Sequence, residues 1–144
     1  EQMNSYEKVT IRLYFANESG DGLIPINREL VHNIDVSNIS MEKLIVEQLI
    51  AGPANDESYP TINPQTKLLG VTVKDGICYV NLDSSFLTVV NNVSTEVAVY
   101  AIVNSLVELD NINKVQILVN GEVPTTFSNS TFERNLDYVT TLEQ

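Results

Sequence analysis

Residues Leu69–Leu82 read LGVTVKDGICYVNL, two alternating runs joined by Asp75-Gly76. Asp-Gly is typical of a two-residue type I′ turn, because both central residues of that turn need a positive φ. A turn at this position predicts an antiparallel hairpin in which Leu69 faces Leu82. Since side chains alternate between the two faces of a strand, one face should be apolar and the other polar. The predicted apolar face is Leu69, Val71, Val73, Cys78, Val80 and Leu82, and the predicted polar face is Thr72, Lys74, Tyr79 and Asn81.

This hairpin needs a cover over its apolar face. A lone hairpin is only marginally stable in water. Burial of such apolar side chains contributes roughly 1.5–3 kcal/mol each, before the conformational entropy is subtracted. The other segments of the chain are therefore expected to pack against it.

Two strand patterns and one helix pattern precede the hairpin. Apolar and polar residues alternate over Val9–Phe15, which predicts a half-buried strand, and a second extended segment is predicted over Leu23–Ile34. Ser40 is a good N-cap for a helix that ends at Gly52, since Pro53 prevents its continuation. The segment after Pro53 contains further prolines and is predicted to be a long loop.

A helix, a strand and a tail are predicted after the hairpin. Asp83 is expected to cap a short turn of helix. Thr95–Leu109 predicts a helix that is apolar almost all round and therefore central and buried, with Ser94 as its N-cap. A final strand is predicted over Val115–Val119, and the tail Glu122–Gln144 holds apolar residues that could dock. The residues of this helix that are predicted to face solvent are Glu96, Asn104, Ser105 and Glu108.

The order β-β-α-β-β-α-β predicts an α+β domain. Its single mixed, mainly antiparallel β-sheet should carry two helices packed chiefly on one face. The length of 144 residues is that of one domain. We predict a flexible N-terminal segment over residues 1–7, a domain over residues 8–122, and a partly docked C-terminal extension over residues 123–144.

Composition argues against several classes of function. The net charge of −11 argues against binding to nucleic acid or to an anionic membrane surface, because both need clustered Lys and Arg. A single cysteine excludes an internal disulfide and a zinc site built on cysteines. No apolar run approaches the roughly 18 residues of a membrane span, so no direct membrane insertion by this segment is expected. No signal peptide is recognisable.

The residues that could carry chemistry favour structural roles. His32 is the only histidine and lies in a predicted edge strand, with no G-x-S-x-G nearby. Cys78 lies on the apolar face, where a thiol is inert. The loop Asn17–Gly22 resembles the start of a calcium loop, but its twelfth position is Arg28 and not a bidentate Glu. Asp83 has no partner carboxylate at a fixed spacing for a glycosidase pair. We therefore predict no catalytic, cofactor-binding or metal site, and no enzyme activity.

Six segments resemble the GerMN domain, a sporulation and spore-germination family named after the germination protein GerM. They are VTIRLYFAN at Val9–Asn17, LIAGP at Leu49–Pro53, GVTVKDGICYVNLDSSF at Gly70–Phe86, AIVNSL at Ala101–Leu106, VQILVNG at Val115–Gly121 and FERN at Phe132–Asn135. The resemblance implies an extracytoplasmic bacterial domain, often tethered by a lipoprotein anchor or a transmembrane helix. It also implies an architecture similar to the ring-building motifs of sporulation channel proteins, and hence assembly or interaction.

Three functional hypotheses follow from the residues and the resemblance. The first is a non-enzymatic interaction domain of the cell envelope, anchored through an N-terminal segment absent from this chain, whose partners are envelope proteins or further copies of itself. The second is an envelope module that binds peptidoglycan fragments, which would need a pocket lined by aromatics such as Tyr59, Tyr79 or Tyr100. The third is a wall hydrolase, which would need a carboxylate pair assembled by the fold.

Overall fold

The computed structural model describes residues 6–33, 41–53, 58–90, 93–127 and 130–139. Its elements are β1 (Tyr6–Ala16), β2 (Leu23–Asn33), α1 (Met41–Ala51), β3 (Leu68–Lys74), β4 (Ile77–Leu82), α2 (Thr95–Leu106) and β5 (Lys114–Val119), with short 3₁₀ helices at Ser84–Leu87 and Leu136–Tyr138. The predicted element order and the α+β class are confirmed. The predicted N-cap Ser40 lies outside the described residues.

The described strands form two sheets, where the sequence predicts one. β1 and β2 form an antiparallel ribbon, and the second sheet has the order β3-β4-β5, with β4 antiparallel to β3 and parallel to β5. The edge of β5 is bonded to the tail, because Val115 and Phe132 exchange two backbone hydrogen bonds of 2.9 and 2.8 Å. At β1, Ala16 forms a bridge with Tyr59. Both contacts thus add isolated backbone pairs outside the two sheets.

The Asp75-Gly76 turn closes the hairpin as predicted. The two residues have φ angles of 55° and 82°, the positive values that a type I′ turn needs. The Gly76 carbonyl also accepts hydrogen bonds from the N–H groups of Asn113 at 2.7 Å and Lys114 at 3.2 Å. The turn therefore holds the start of β5 beside β4.

The hairpin register changes near the start of β3. The predicted pairs hold from Val71–Val80 to the turn, but Leu68 and not Leu69 pairs with Leu82. Leu69 is the extra residue of a β-bulge, and 51% of its surface is exposed. The predicted place of Leu69 on the apolar face is therefore wrong, because the extra residue turns its side chain out of that face.

Both helices pack on the apolar face of the three-stranded sheet. Cys78, Val80 and Leu82 of β4 are fully buried there, beside Val115 and Ile117 of β5. Helix α1 contacts β3, α2 contacts β5, and the two helices contact each other. The described helices thus lie on one face, as predicted. Helix α2 also contacts β1 and so joins the ribbon to the same core.

Helix α2 is central and buried, as the sequence predicts. Nine of its 12 residues are buried. Ser94 is its N-cap, with the Ser94 Oγ accepting the Val97 N–H at 3.2 Å. The helix ends at Leu106 and not at Leu109. The chain forms a tighter turn just after the helix, in which the Leu109 N–H bonds to the Leu106 carbonyl, three residues back, at 3.0 Å.

Asn104 and Ser105 are fully buried, so the prediction that they lie on a solvent-exposed side of α2 is wrong. The Ser105 Oγ donates to the Ala101 carbonyl at 2.6 Å and accepts the Tyr14 N–H at 3.0 Å. The Asn104 side chain bonds both the N–H and the carbonyl of Asn135, each at 2.9 Å. Buried polar groups are retained where such partners exist. These two side chains therefore join α2 to β1 and to the tail.

The tail over residues 130–139 contacts three parts of the domain. Phe132 pairs with β5, and Val139 forms a bridge to the start of β2. Between them, Arg134 forms an ion pair with Glu108, 3.2 Å from it, just after α2. This part of the tail therefore touches both sheets. The domain boundaries at residues 7 and 122 stay predictions.

We expect Val80→Asp to unfold the domain. Val80 is fully buried, and a carboxylate there would lose its hydration without a partner, at a cost of several kcal/mol. The matched control is Thr72→Asp, which places the same charge on the exposed face of the same hairpin. Urea unfolding followed by circular dichroism measures both. Equal midpoints for the two variants would contradict the assignment of the faces.

We expect Asn104→Ala to destabilise the domain by about 2–4 kcal/mol, because the Asn135 backbone groups lose their partner inside the protein. Asn27→Ala, at an exposed position of β2, is the control and should change the unfolding free energy by less than about 0.5 kcal/mol. Chemical unfolding measures both. A loss for Asn104→Ala no larger than for Asn27→Ala would show that this contact does not hold the tail.

Candidate interaction surface

The three-stranded sheet has a second face that points away from the helices. We call this surface the open sheet face. Its residues are exposed or half-buried, in contrast to the fully buried side chains on the opposite face. In cross-strand rows it consists of Gly70, Asn81 and Leu118, then Thr72, Tyr79 and Gln116, then Lys74, Ile77 and Lys114.

The open sheet face carries lysines but no carboxylate, although the whole chain has a net charge of −11. Lys74 and Lys114 lie in the same row, separated by Ile77. Lys114 lies 3.7 Å from Glu133, but both side chains are largely exposed, so this pair contributes little. The face combines an aromatic ring, two partly exposed aliphatic side chains and positive charge. Such a surface suits a partner with an acidic surface.

Exposed apolar side chains lie at one end of the same sheet. Leu69 is at the bulge that begins β3, and Leu87 and Val89 follow β4. Asp83 ties these segments together, because its backbone N–H bonds to the Lys67 carbonyl at 3.0 Å and its carboxylate accepts the Lys67 N–H at 3.1 Å. A bulge at an edge strand disfavours the addition of a further strand. The face of the sheet is therefore a better candidate for contact than its β3 edge.

Two adjoining pockets lie between α2 and the tail, and we call them the Tyr100 pockets. Their volumes are about 200 Å³ and 360 Å³, and both are lined by Tyr100 and Phe132. Small-molecule sites usually measure about 300–1,000 Å³, so these pockets are at or below the small end of that range. Of the aromatics named from the sequence, Tyr100 lines them, whereas Tyr79 lies on the open sheet face and Tyr59 bridges to β1.

The pocket walls include Phe127 and Phe132. From the sequence, no binding role is predicted for either residue. Phe132 makes edge-to-face contacts with Tyr100 at 5.5 Å and with Phe127 at 5.8 Å between ring centroids. The spacing of these rings in the sequence carries no periodic signal. Their meeting depends on how the tail folds back onto β5.

The loop and cap residues named from the sequence form hydrogen bonds within the protein. In the loop between β1 and β2, Asn17 accepts the Gly20 N–H through its side chain at 2.8 Å and donates to Asp21 at 3.3 Å. Asp83 accepts the Ser85 N–H at 3.1 Å, which confirms its predicted role as a cap. His32 lies in β2 opposite Glu7 in the backbone register. The described residues contain no cluster of three His, Cys, Asp or Glu side chains able to hold a metal ion.

Cys78 and Tyr14 are buried groups with raised pKa values. Burial, with a smaller effect of the Glu42 carboxylate, raises the pKa of Cys78 to about 12. Burial also raises the pKa of Tyr14 to about 12, helped by the hydrogen bond that the Tyr14 hydroxyl donates to Glu108 at 2.8 Å. The Cys78 thiol therefore stays protonated at neutral pH. Its environment is that of a packing residue.

No helix in the described part of the chain is long and apolar enough to cross a membrane.

Comparison with protein families identifies the domain. Residues 12–125, well over half of the chain, match the model of the Germane family, which is described as sporulation and spore germination. The chain belongs to this family. The resemblance to the GerMN domain is thereby confirmed. No curated protein matches the chain significantly.

Solved structures share the fold of this Germane domain. The tandem GerMN domains of the sporulation protein GerM from Bacillus subtilis align with a TM-score of 0.66 at 19% identity, over 97% of this chain and 50% of that one. The first GerMN domain of GerM aligns with a TM-score of 0.64 at 16% identity, over 94% of this chain and 99% of that one. A candidate lipoprotein from Clostridium perfringens aligns with a TM-score of 0.56 at 24% identity, over 88% of this chain and 87% of that one. The chain spans half the length of the tandem structure, and these likenesses show the fold alone.

We expect Cys78 to resist alkylation in the folded domain. Its ordinary pKa is 9.0, so a free thiol at pH 9 is half thiolate, whereas Cys78 stays protonated. Since the folded-state pKa is the higher one, the contribution of this thiol to stability is complete below pH 9.0 and falls as the pH rises towards 12. Iodoacetamide labelling read by mass spectrometry, with and without urea, measures the protection. Equal rates in both conditions would contradict it.

Proposed function

We propose that this Germane domain is a non-enzymatic interaction domain of the cell envelope, and that it contacts its partner through the open sheet face. The observation that carries the proposal is the character of this face. Tyr79, Ile77 and Leu118 are only half-buried there, and Lys74 and Lys114 add positive charge to an otherwise acidic chain. Interfaces favour such an aromatic centre, with charges that select the partner.

Family membership supports the biological setting of the proposal. The family is described by sporulation and spore germination, and that description names no reaction. The neighbour from Clostridium perfringens is a candidate lipoprotein, which supports an extracytoplasmic, anchored location for this domain too. The partner is then another envelope protein or a second copy of the domain.

A second copy of the domain could supply carboxylates to pair with Lys74 and Lys114 on the open sheet face. The chain has 19 acidic and 8 basic residues, and none of the acidic residues lies on this face. Contact between the open sheet face of one copy and an acidic surface of the next is a head-to-tail contact. Such contacts close into rings or extend into filaments, depending on the rotation between copies.

Charge reversal on the open sheet face tests the proposal. We expect the double variant Lys74→Glu with Lys114→Glu to weaken association at least tenfold, because two like charges would then face an acidic partner. The control is Lys8→Glu with Arg12→Glu, which changes the net charge equally at exposed positions of β1. Light scattering over a wide concentration range measures self-association, and photo-crosslinking from position 79 in the anchored protein measures contact with other envelope proteins.

Two results would contradict the proposal. One is association that both double variants weaken equally, because net charge alone would then explain the effect. The other is crosslinking of the anchored protein from β2 positions such as Asn27 with none from position 79, because the contact would then lie elsewhere.

A further inference from the structure

The Tyr100 pockets lie along one face of α2. Thr95 and Val99 are four residues apart, as are Glu96 and Tyr100, so all four side chains share that face of the helix. The tail supplies the opposite wall. Thr126, Phe127 and Phe132 line the first pocket, and Thr131–Asn135 and Asp137 extend the second.

The aromatic wall of these pockets is held in place by several contacts. Phe132 is nearly buried, with 7% of its surface exposed, and it packs edge-to-face against both Tyr100 and Phe127. Its backbone is fixed by the two hydrogen bonds to Val115. Tyr100 and Phe127 remain half-buried and thus offer ring surface to an occupant. The wall is preformed, which lowers the entropy cost of binding.

Carboxylates surround this aromatic wall. Glu96 lines the first pocket, and Glu133 and Asp137 line the second. Among the described lining residues Arg134 is the one cation, and it is already engaged, since it bonds to Glu108 at 3.2 Å and to the Val107 carbonyl at 3.3 Å. The helix N-terminus favours an anion, and Glu96 in the first turn supplies it. The pockets are therefore aromatic and negatively charged.

We propose that the Tyr100 pockets bind a lysine or arginine side chain carried by a segment of a partner protein. A cation is attracted to the face of an aromatic ring within about 6 Å, and nearby carboxylates strengthen that attraction. The first pocket, at about 200 Å³, accommodates one such side chain but is below the usual size for a drug-sized ligand. This inference goes beyond the open sheet face and does not rest on it, because none of the lining residues lies on that face and Glu133, which forms the 3.7 Å ion pair with Lys114, is not changed in the test.

Two matched peptides test the proposal on the intact domain. The probes are acetyl-Gly-Lys-Gly-amide and acetyl-Gly-norleucine-Gly-amide, which share the alkyl chain but differ in the ammonium group. Nuclear magnetic resonance titration should show saturable shifts for the lysine peptide at Thr95, Tyr100 and Thr131. The norleucine peptide should bind at least tenfold more weakly, and added salt should weaken only the lysine peptide.

Variants at Tyr100 distinguish the loss of the aromatic ring from the loss of the folded structure. Tyr100→Leu should lower the affinity for the lysine peptide about tenfold, because it removes the π face, whereas Tyr100→Phe keeps that face and should stay within about threefold. Glu96→Gln combined with Asp137→Asn should also weaken binding. The amide spectrum of each variant checks that the domain is folded.

Three results would overturn the proposal. Equal binding of the two peptides would show a merely apolar pocket. Unchanged affinity in a folded Tyr100→Leu variant would place the cation elsewhere. Retention of the domain on purified cell wall that depends on Tyr100, without binding of the lysine peptide, would assign the pockets to a wall ligand. None of these results depends on the open sheet face, so failure here leaves the proposed function standing.

Discussion

The fold of this Germane domain depends on two adjacent polar side chains inside an apolar helix. Ser105 of α2 accepts the backbone N–H of Tyr14, and Asn104 bonds both backbone groups of Asn135. Burial of these groups is favourable only while those partners are in place, since an unpaired buried polar group costs about 1–3 kcal/mol. The pair therefore specifies where β1 and the tail attach to α2, which the non-directional packing of aliphatic side chains would not specify as sharply.

This arrangement places both helices on one face of the three-stranded sheet and leaves the other face open. Residues on the inner face, such as Val80 and Ile117, are completely buried, whereas Tyr79 and Gln116 on the outer face remain half-buried. In the described part of the tail, Phe132 pairs with the edge of β5 at Val115. The same contacts build the Tyr100 pockets, because Phe132 is at once the residue paired with β5 and the ring that packs on Tyr100.

The local elements could be predicted from the sequence, because they depend on neighbouring residues. The Asp75-Gly76 turn and the two helices follow from turn chemistry and periodicity. The bulge at Leu69 has no such signal. Neither does the division into two sheets, because strand pairing is decided between residues that are far apart in the sequence. The sequence pattern predicts that Asn104 faces solvent, because a pattern cannot distinguish a polar residue in water from one paired inside the protein. The aromatic walls of the Tyr100 pockets cannot be predicted either, because the spacing of Tyr100, Phe127 and Phe132 carries no periodic signal.

Under the proposed anchoring in the cell envelope, lysine footprinting of the protein in that envelope tests the central claim most directly. Amine acetylation would be compared, site by site, with that of the purified, dilute domain. If the open sheet face contacts a partner, Lys74 and Lys114 will be modified more slowly in the envelope than in the purified domain, while Lys8 on β1 keeps its rate. Unchanged rates at Lys74 and Lys114 in the envelope would contradict the account, because a face that reagents still reach is not covered by a partner.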